Sequence, residues 1–197
     1  MLKHVFGFFI DPAEEWRAIR DRKASLGQVI VLVMVLGAIP VISGFIGTTQ
    51  FGWQIGAGET VRLTTRSAAI ISIAYYIVII AAVLSIGWMI YWMGETYGAN
   101  KPLSQCIMLA ALIPAPLFLI GVMQLYPILW LNLIVALPAL AYTVFLLYLG
   151  IPIVMEIPPE RGFLFASAVL AVGLVGLVGL LAVTVFLWGI GVGPVFS

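Results

Sequence analysis

Polar and apolar positions in this chain do not alternate; they segregate into long blocks. All eighteen acidic, basic and histidine side chains fall in short clusters, and residues 24–58, 67–94, 102–155 and 162–197 contain none. A charge at the bilayer centre costs about 2.5–3.5 kcal/mol on insertion scales, so uncharged blocks of this length mark membrane crossings. A crossing helix needs about 20 apolar residues. The first block predicts a span over about 26–46, before a stretch rich in Gly, Thr and Gln. The second predicts 68–93. The third is too long for one span and divides at Gln124-Leu125-Tyr126-Pro127, a polar group followed by turn formers and a helix stop, into 103–123 and 128–150. The fourth predicts 163–188. The expected fold is an all-α membrane helix bundle of five spans over 26–197, preceded by an interfacial segment, 1–25.

Orientation follows from Lys and Arg. Lys3, Arg17, Arg20, Arg22 and Lys23 precede the first span; Arg62 and Arg66 follow it; Lys101 and Arg161 lie in later loops. Because spans alternate sides, one face collects seven basic residues and the other two. The positive-inside rule then predicts a cytoplasmic N-terminus and an external C-terminus. Aromatic residues at the expected span ends agree: Trp88, Tyr91, Trp92 and Tyr148 inside, Tyr126 and Trp130 outside. The run Val5–Ile10 is too short for a signal sequence, and charge follows it in place of a small-residue cleavage site.

The N-terminal segment carries its own helix signals. Asp11 is placed as an N-cap, Pro12 as the first helical residue and Glu14 as the return member of a capping box. The helix runs to about Lys23, acidic first and basic last, as the helix dipole prefers. Ala13, Trp16 and Ile19 share one face. With Val5, Phe6, Phe8 and Phe9 ahead of it, the segment is expected to lie in the leaflet, as an anchor for the first span or as a docking platform for a partner.

Phe9-Ile10-Asp11-Pro12 with Trp16 and Ile19 resembles the N-terminal signature of the bacterial branch of the Yip1 family. Gly94-Glu95-Thr96-Tyr97-Gly98, ahead of a span with Pro114 and Pro116, is similar to the same family. So is Tyr148-Leu149-Gly150-Ile151-Pro152-Ile153-Val154-Met155 followed by Ile157-Pro158. The resemblance runs to about residue 170 and implies five spans, a cytoplasmic N-terminus and an inner-membrane location. Eukaryotic members act in vesicle trafficking and contact Rab-type GTPases, partners that a bacterial-type chain lacks.

Composition narrows function. With 63% hydrophobic and only 9% charged residues, against about 25% charged in soluble domains, the chain is an integral membrane protein. A net charge of +1 offers no nucleic-acid surface. No span interior holds a carboxylate, amine or imidazole, which counts against proton- or ion-coupled transport. Ser72, Ser85, Thr143, Tyr75, Tyr76 and Tyr142 are expected to act as packing contacts, and Gln105 and Asn132, near span ends, to lie at the interface. The lone histidine, His4, excludes a His pair for zinc or a Ser-His set in a span. Cys106 reads as an inert apolar residue. No catalytic residue, metal ligand or cofactor is expected.

Proline suggests the one candidate cavity. Pro114, Pro116 and Pro138 interrupt the third and fourth spans at similar depth, where broken helices can frame a binding site or merely kink for packing; Pro40 sits in the first span. Gly173, Gly176 and Gly179 mark a close helix contact, within the monomer or between copies. Two functions remain. One is a noncatalytic protein whose cytoplasmic face, formed by Asp11, Pro12, Trp16, Arg17, Arg20, Arg22, Lys23, Glu95, Lys101, Glu156 and Arg161, organises membrane lipid or a protein partner. The other is a channel or passive transporter through the proline cavity. Glu59, Glu95, Glu156 and Glu160 all lie outside the spans, and on the cytoplasmic side Glu95 and Glu156–Glu160 are placed to meet Lys101 and Arg161.

Overall fold

The structure is a computed structural model that describes residues 5, 7–53, 60–190 and 193–196; Lys3, His4, Phe6 and Glu59 lie outside the described residues. Helix α1 (Pro12–Asp21) precedes α2 (Leu26–Ile46), which continues as a π-helical turn, Gly47–Phe51. Next come α3 (Thr65–Tyr97), α4 (Leu103–Leu112), α5 (Ala115–Ile120) with a 3-10 turn at Gly121–Leu125, α6 (Leu129–Met155) and α7 (Pro159–Gly189). The protein is an all-α membrane bundle, as the charge pattern predicts.

Four helices are long and apolar enough to cross a bilayer, and α4 with the α5 segment forms a pair bent by 46°. That pair is a broken crossing and not a re-entrant loop. Its start lies beside Glu156 through Lys101, whereas its end reaches the opposite end of the bundle, where Gly44 and Gly47 pack on Gln124. The break falls at Ile113–Pro114, where Pro114 removes the amide that would continue the ladder. Pro40, Pro138 and Pro152 sit inside helices that remain continuous.

α3 and α7 extend past the predicted spans with terminal turns that carry Arg66, Glu95, Glu160 and Arg161, and α6 runs on through Pro152 to Met155. A helix need not end where the hydrocarbon does. The π turn has a local cause: Thr48 and Thr49 donate their hydroxyls to the carbonyls of Gly44 and Phe45 at 2.8 and 2.7 Å, competing with the regular ladder. Beyond it, the C-terminal tail returns to the start of α3, with Thr64 N–H donating to the Val195 carbonyl at 3.0 Å.

α4 is the centre of the bundle, and every residue from Gln105 to Ile113 is buried. Its neighbours reach it closely where glycine allows. A Cβ on Gly87 of α3 would sit 2.6 Å from the Ile107 Cα, and one on Gly121 would sit 2.6 Å from the Pro40 Cβ. Much of α3 and α7, by contrast, presents exposed Ile, Leu and Val outward, the surface a bilayer covers.

Candidate functional site

The sequence motifs meet at one end of the bundle, and α1 is what joins them. Asp11 caps α1 by accepting the Glu14 amide at 2.9 Å, with Pro12 in the first turn; a complete capping box occurs one helix later, between Ser25 and Gln28. The apolar face of α1 is covered by protein and not by the leaflet. Trp16, Ile19 and Phe8 are wholly buried, and α1 packs along α6. The reason is Gly150: a Cβ there would lie 2.6 Å from the Trp16 Cε2, so the missing side chain is the slot that admits the indole. Phe8 packs on Trp16 with ring centroids 4.6 Å apart, and the Tyr142 hydroxyl donates to the Phe8 carbonyl. Burying three such side chains is worth about 1.5–3 kcal/mol each relative to water. Trp16 therefore anchors α1 to α6, in place of facing the leaflet or a docked partner. Phe9 and Ile10 remain exposed, and Phe9 stacks on Tyr142.

Charge closes the same joint. Glu156 ends α6 in the left-handed region, φ 54° and ψ 47°, a conformation that favours Gly or Asn at a helix end. There its carboxylate pairs with Lys101 and lies 3.8 Å from the Arg20 Nε. Hydrogen bonding to Lys101, and then its charge, hold the Glu156 carboxyl below the usual range. Asp21 is lowered in the same direction, chiefly by its hydrogen bond from Arg20 at 2.7 Å, and the Arg20 guanidinium is raised by that bond. Gln105, buried at the start of α4, donates to the Arg20 carbonyl at 2.7 Å. Two other chain segments, residues 101–105 and the end of α6, thereby converge on the end of α1.

The family motifs supply the rest of this end. Tyr97 stacks on Phe165 at 4.6 Å, nearly parallel. Gly98 ends α3 at φ 80°, with the Arg161 Nη1 3.0 Å from where a Cβ would sit. Gly162 lies against Pro152. Arg17, Lys23, Glu95 and Arg161 are exposed, and Arg22 and Lys101 are half-buried. Of the pairings foreseen for the loop charges, Lys101 with Glu156 forms. Sequence reasoning did not find Phe8, Gly150 or Gln105 as contributors. Gly150 stood inside a recognised motif, but nothing in the sequence says that its partner is a tryptophan 134 residues earlier.

The proline cavity is displaced. A cleft of about 510 Å³ opens among the first four spans, lined by Gly44 and Thr48 at the end of the first, Tyr75 of the second, Gln124 at the end of the third, and Asn132 and Ala136 of the fourth among others, at the end away from α1. None of Pro114, Pro116 or Pro138 lines it. Pro116 is buried in packing and Pro138 is exposed on the outer face of α6, because the bend at Pro114 turns α5 against α2 and α6. The glycine stripe is also corrected as a contact within the monomer: among the described residues, no atom beyond the helix's own backbone lies within 4 Å of a Cβ at Gly173, Gly176 or Gly179. α7 passes its neighbours only in its first half, where Phe165, Ala166 and Val169 are buried.

Comparison with known proteins agrees with the motif reading. The Yip1 domain model matches residues 6–192. The chain is 40% identical over 191 residues to a protein named inner membrane protein YohC of Escherichia coli strain K12, covering 96% of this chain and 98% of that one. A protein of the same name from E. coli O6:H1 matches to the same extent. No solved structure matches the chain.

Proposed function

We propose, on the premise that this chain belongs to the Yip1 domain family, that it is a noncatalytic inner-membrane protein. Its α1-bearing end faces the cytoplasm and organises lipid or a protein partner there. The observation that carries this reading is the convergence of Arg20, Lys101 and Glu156 around a docked α1, with Arg17, Lys23 and Arg161 left outward. Positive-inside bias supports the orientation, and the YohC relative's name supports the inner membrane. The convergent groups are ion-paired or solvent-facing and enclose no reacting centre, so the end presents a surface.

A reporter fused to the C-terminus, active only outside the cytoplasm, tests the orientation and is expected to be active. A photo-crosslinking residue at position 17 or 161 tests the platform. Discrete adducts are expected from those positions, above the background of one at Val195 on the opposite end. Equal labelling at both ends overturns the reading.

The cleft among the first four spans is the observation that favours the channel alternative of a passage between the third and fourth. Leu109, Ala110 and Leu112, nearer the α1 end of the third span, are buried and do not line it. Solute flux across liposomes that is lost on narrowing the cleft with Ala136→Phe would favour conduction; no flux in the native protein rejects it.

A further inference from the structure

A second cleft, of about 490 Å³, opens between the end of α1, the α1–α2 linker and the start of α4. Its walls carry Arg20, Arg22, Lys23 and Lys101 with Asp21 as the lining carboxylate, and Ser104 and Met108 lie deeper along α4. From this we infer that the cleft binds the headgroup of an anionic glycerophospholipid. The inference deepens the proposed function, since it rests on this end lying at a lipid surface.

Charge is the first argument. Four cations line the cleft with one carboxylate, and Glu156 behind Lys101 and Arg20 makes two. Even with Arg22 left out of the count, Arg20, Lys23 and Lys101 outnumber Asp21 and Glu156 by one, the charge of Lys23. Arg20 and Lys101 are also held in place, Arg20 by Asp21 at 2.7 Å and Lys101 by Glu156, so the wall is preorganised. A phosphodiester supplies the missing anionic charge, and its oxygens accept from guanidinium and ammonium groups together.

Position is the second argument. The linker residues Arg22 and Lys23 stand just before α2 enters the membrane, and Lys101 stands just before α4 does. Basic pockets between spans at this depth suit acidic headgroups. Met108 gives the cleft an apolar depth along a crossing helix, which a soluble anion cannot use and a lipid's glycerol and first methylenes can. α4 also opens without a side-chain cap, so its first amides add to the favourable field without carrying the argument.

The test is native mass spectrometry of the detergent-purified full chain titrated with phosphatidylglycerol, with phosphatidylcholine and with inorganic phosphate as competitor. Binding of phosphatidylglycerol is expected at least tenfold tighter than that of phosphatidylcholine and undisturbed by millimolar phosphate. Lys23→Gln should weaken it about fivefold, the worth of one basic residue near an anionic headgroup, and Lys23→Arg should restore it. Ser104→Asp places an acid in the first turn of α4, where it favours the helix, and should abolish binding in a folded protein. Equal binding of the two lipids, displacement by phosphate, or native binding in both Lys23→Gln and Ser104→Asp overturns the proposal. Bound lipid without end-specific crosslinks would instead retire the platform and leave the lipid site standing.

Discussion

Gly150→Ala should undock α1 without harming α6. The new methyl carbon would lie 2.6, 2.8 and 3.0 Å from Cε2, Cζ2 and Cδ2 of Trp16. Carbon atoms in contact prefer about 3.5–4.0 Å, so the indole must withdraw by about 1 Å. The indole cannot pivot away freely, since Phe8 packs on it and Trp16 is wholly enclosed. Overpacking of this kind costs about 1–3 kcal/mol. Within α6 the substitution acts the other way, because alanine favours a helix over glycine by about 0.8–1 kcal/mol. The loss therefore falls on docking alone, and opening of α1 should rise about 5- to 150-fold. Hydrogen exchange read by mass spectrometry over residues 15–21 reports that opening, with peptides from α6 as the internal control. Trp16→Phe removes the atoms nearest Gly150 and should suppress most of the effect, giving a coupling energy in the double mutant. If α1 exchanges at the native rate in Gly150→Ala, or if Trp16→Phe leaves the effect unchanged, the glycine slot is not what seats the helix.

Other expectations follow from the same geometry. Trp16→Ala should loosen α1 by about 3–5 kcal/mol, the range for emptying a large aromatic site, and Trp16→Phe by clearly less, since the buried Trp16 Nε1 has no partner among the described residues and its loss removes an unsatisfied donor; exchange over residues 15–21 ranks the two. Glu156→Asn keeps a residue that tolerates the left-handed φ while deleting the pairs to Lys101 and Arg20, so protection of residues 20–24 should fall while α6 stays intact; unchanged protection refutes the latch. The carboxyls of Glu156 and Asp21 are lowered from 4.5 and 3.8, so their contribution is present above those values and is lost as pH falls through the depressed ones. α1 should therefore be equally docked at pH 6 and 8 and loosen below about pH 4, and loosening between pH 6 and 8 contradicts the assignment. Gly176→Leu should not lower the detergent-solubilised monomer's stability, and the helix propensity of leucine over glycine should raise it by up to about 1 kcal/mol, because no described residue outside the helix lies within 4 Å of the position; a marked loss would restore the stripe as an internal contact.

The architecture was readable because the bilayer imposes one simple rule, that charge stays out of the hydrocarbon. That rule located α2, α3, α6 and α7 and the turn near Gln124, and it counted the crossings. It is blind to what happens where charge is allowed. At the α1 end the decisive contacts are between residues far apart in the chain: Gln105 with Arg20, Lys101 with Glu156, Trp16 with Gly150. An amphipathic helix beside a membrane has two places to bury its apolar face, lipid or protein, and hydropathy rates them alike. What decides between them is shape, here a single absent side chain on α6. The prolines misled for a related reason. Proline says that a ladder must break or bend but not which way the freed segment turns, and the bend at Pro114 packs Pro116 inward while Pro138 stays on the outer face. The resemblance motifs, which carried little chemical meaning as strings, acquire one in three dimensions. Gly150 with Trp16, Gly98 with Arg161 and Gly162 with Pro152 are all close approaches at one end of the bundle. Their glycines permit the assembly of a charged surface there. A function proposed at that surface would depend on α1 staying docked, and substitutions at Gly150 should impair it even though residue 150 is buried beneath α1.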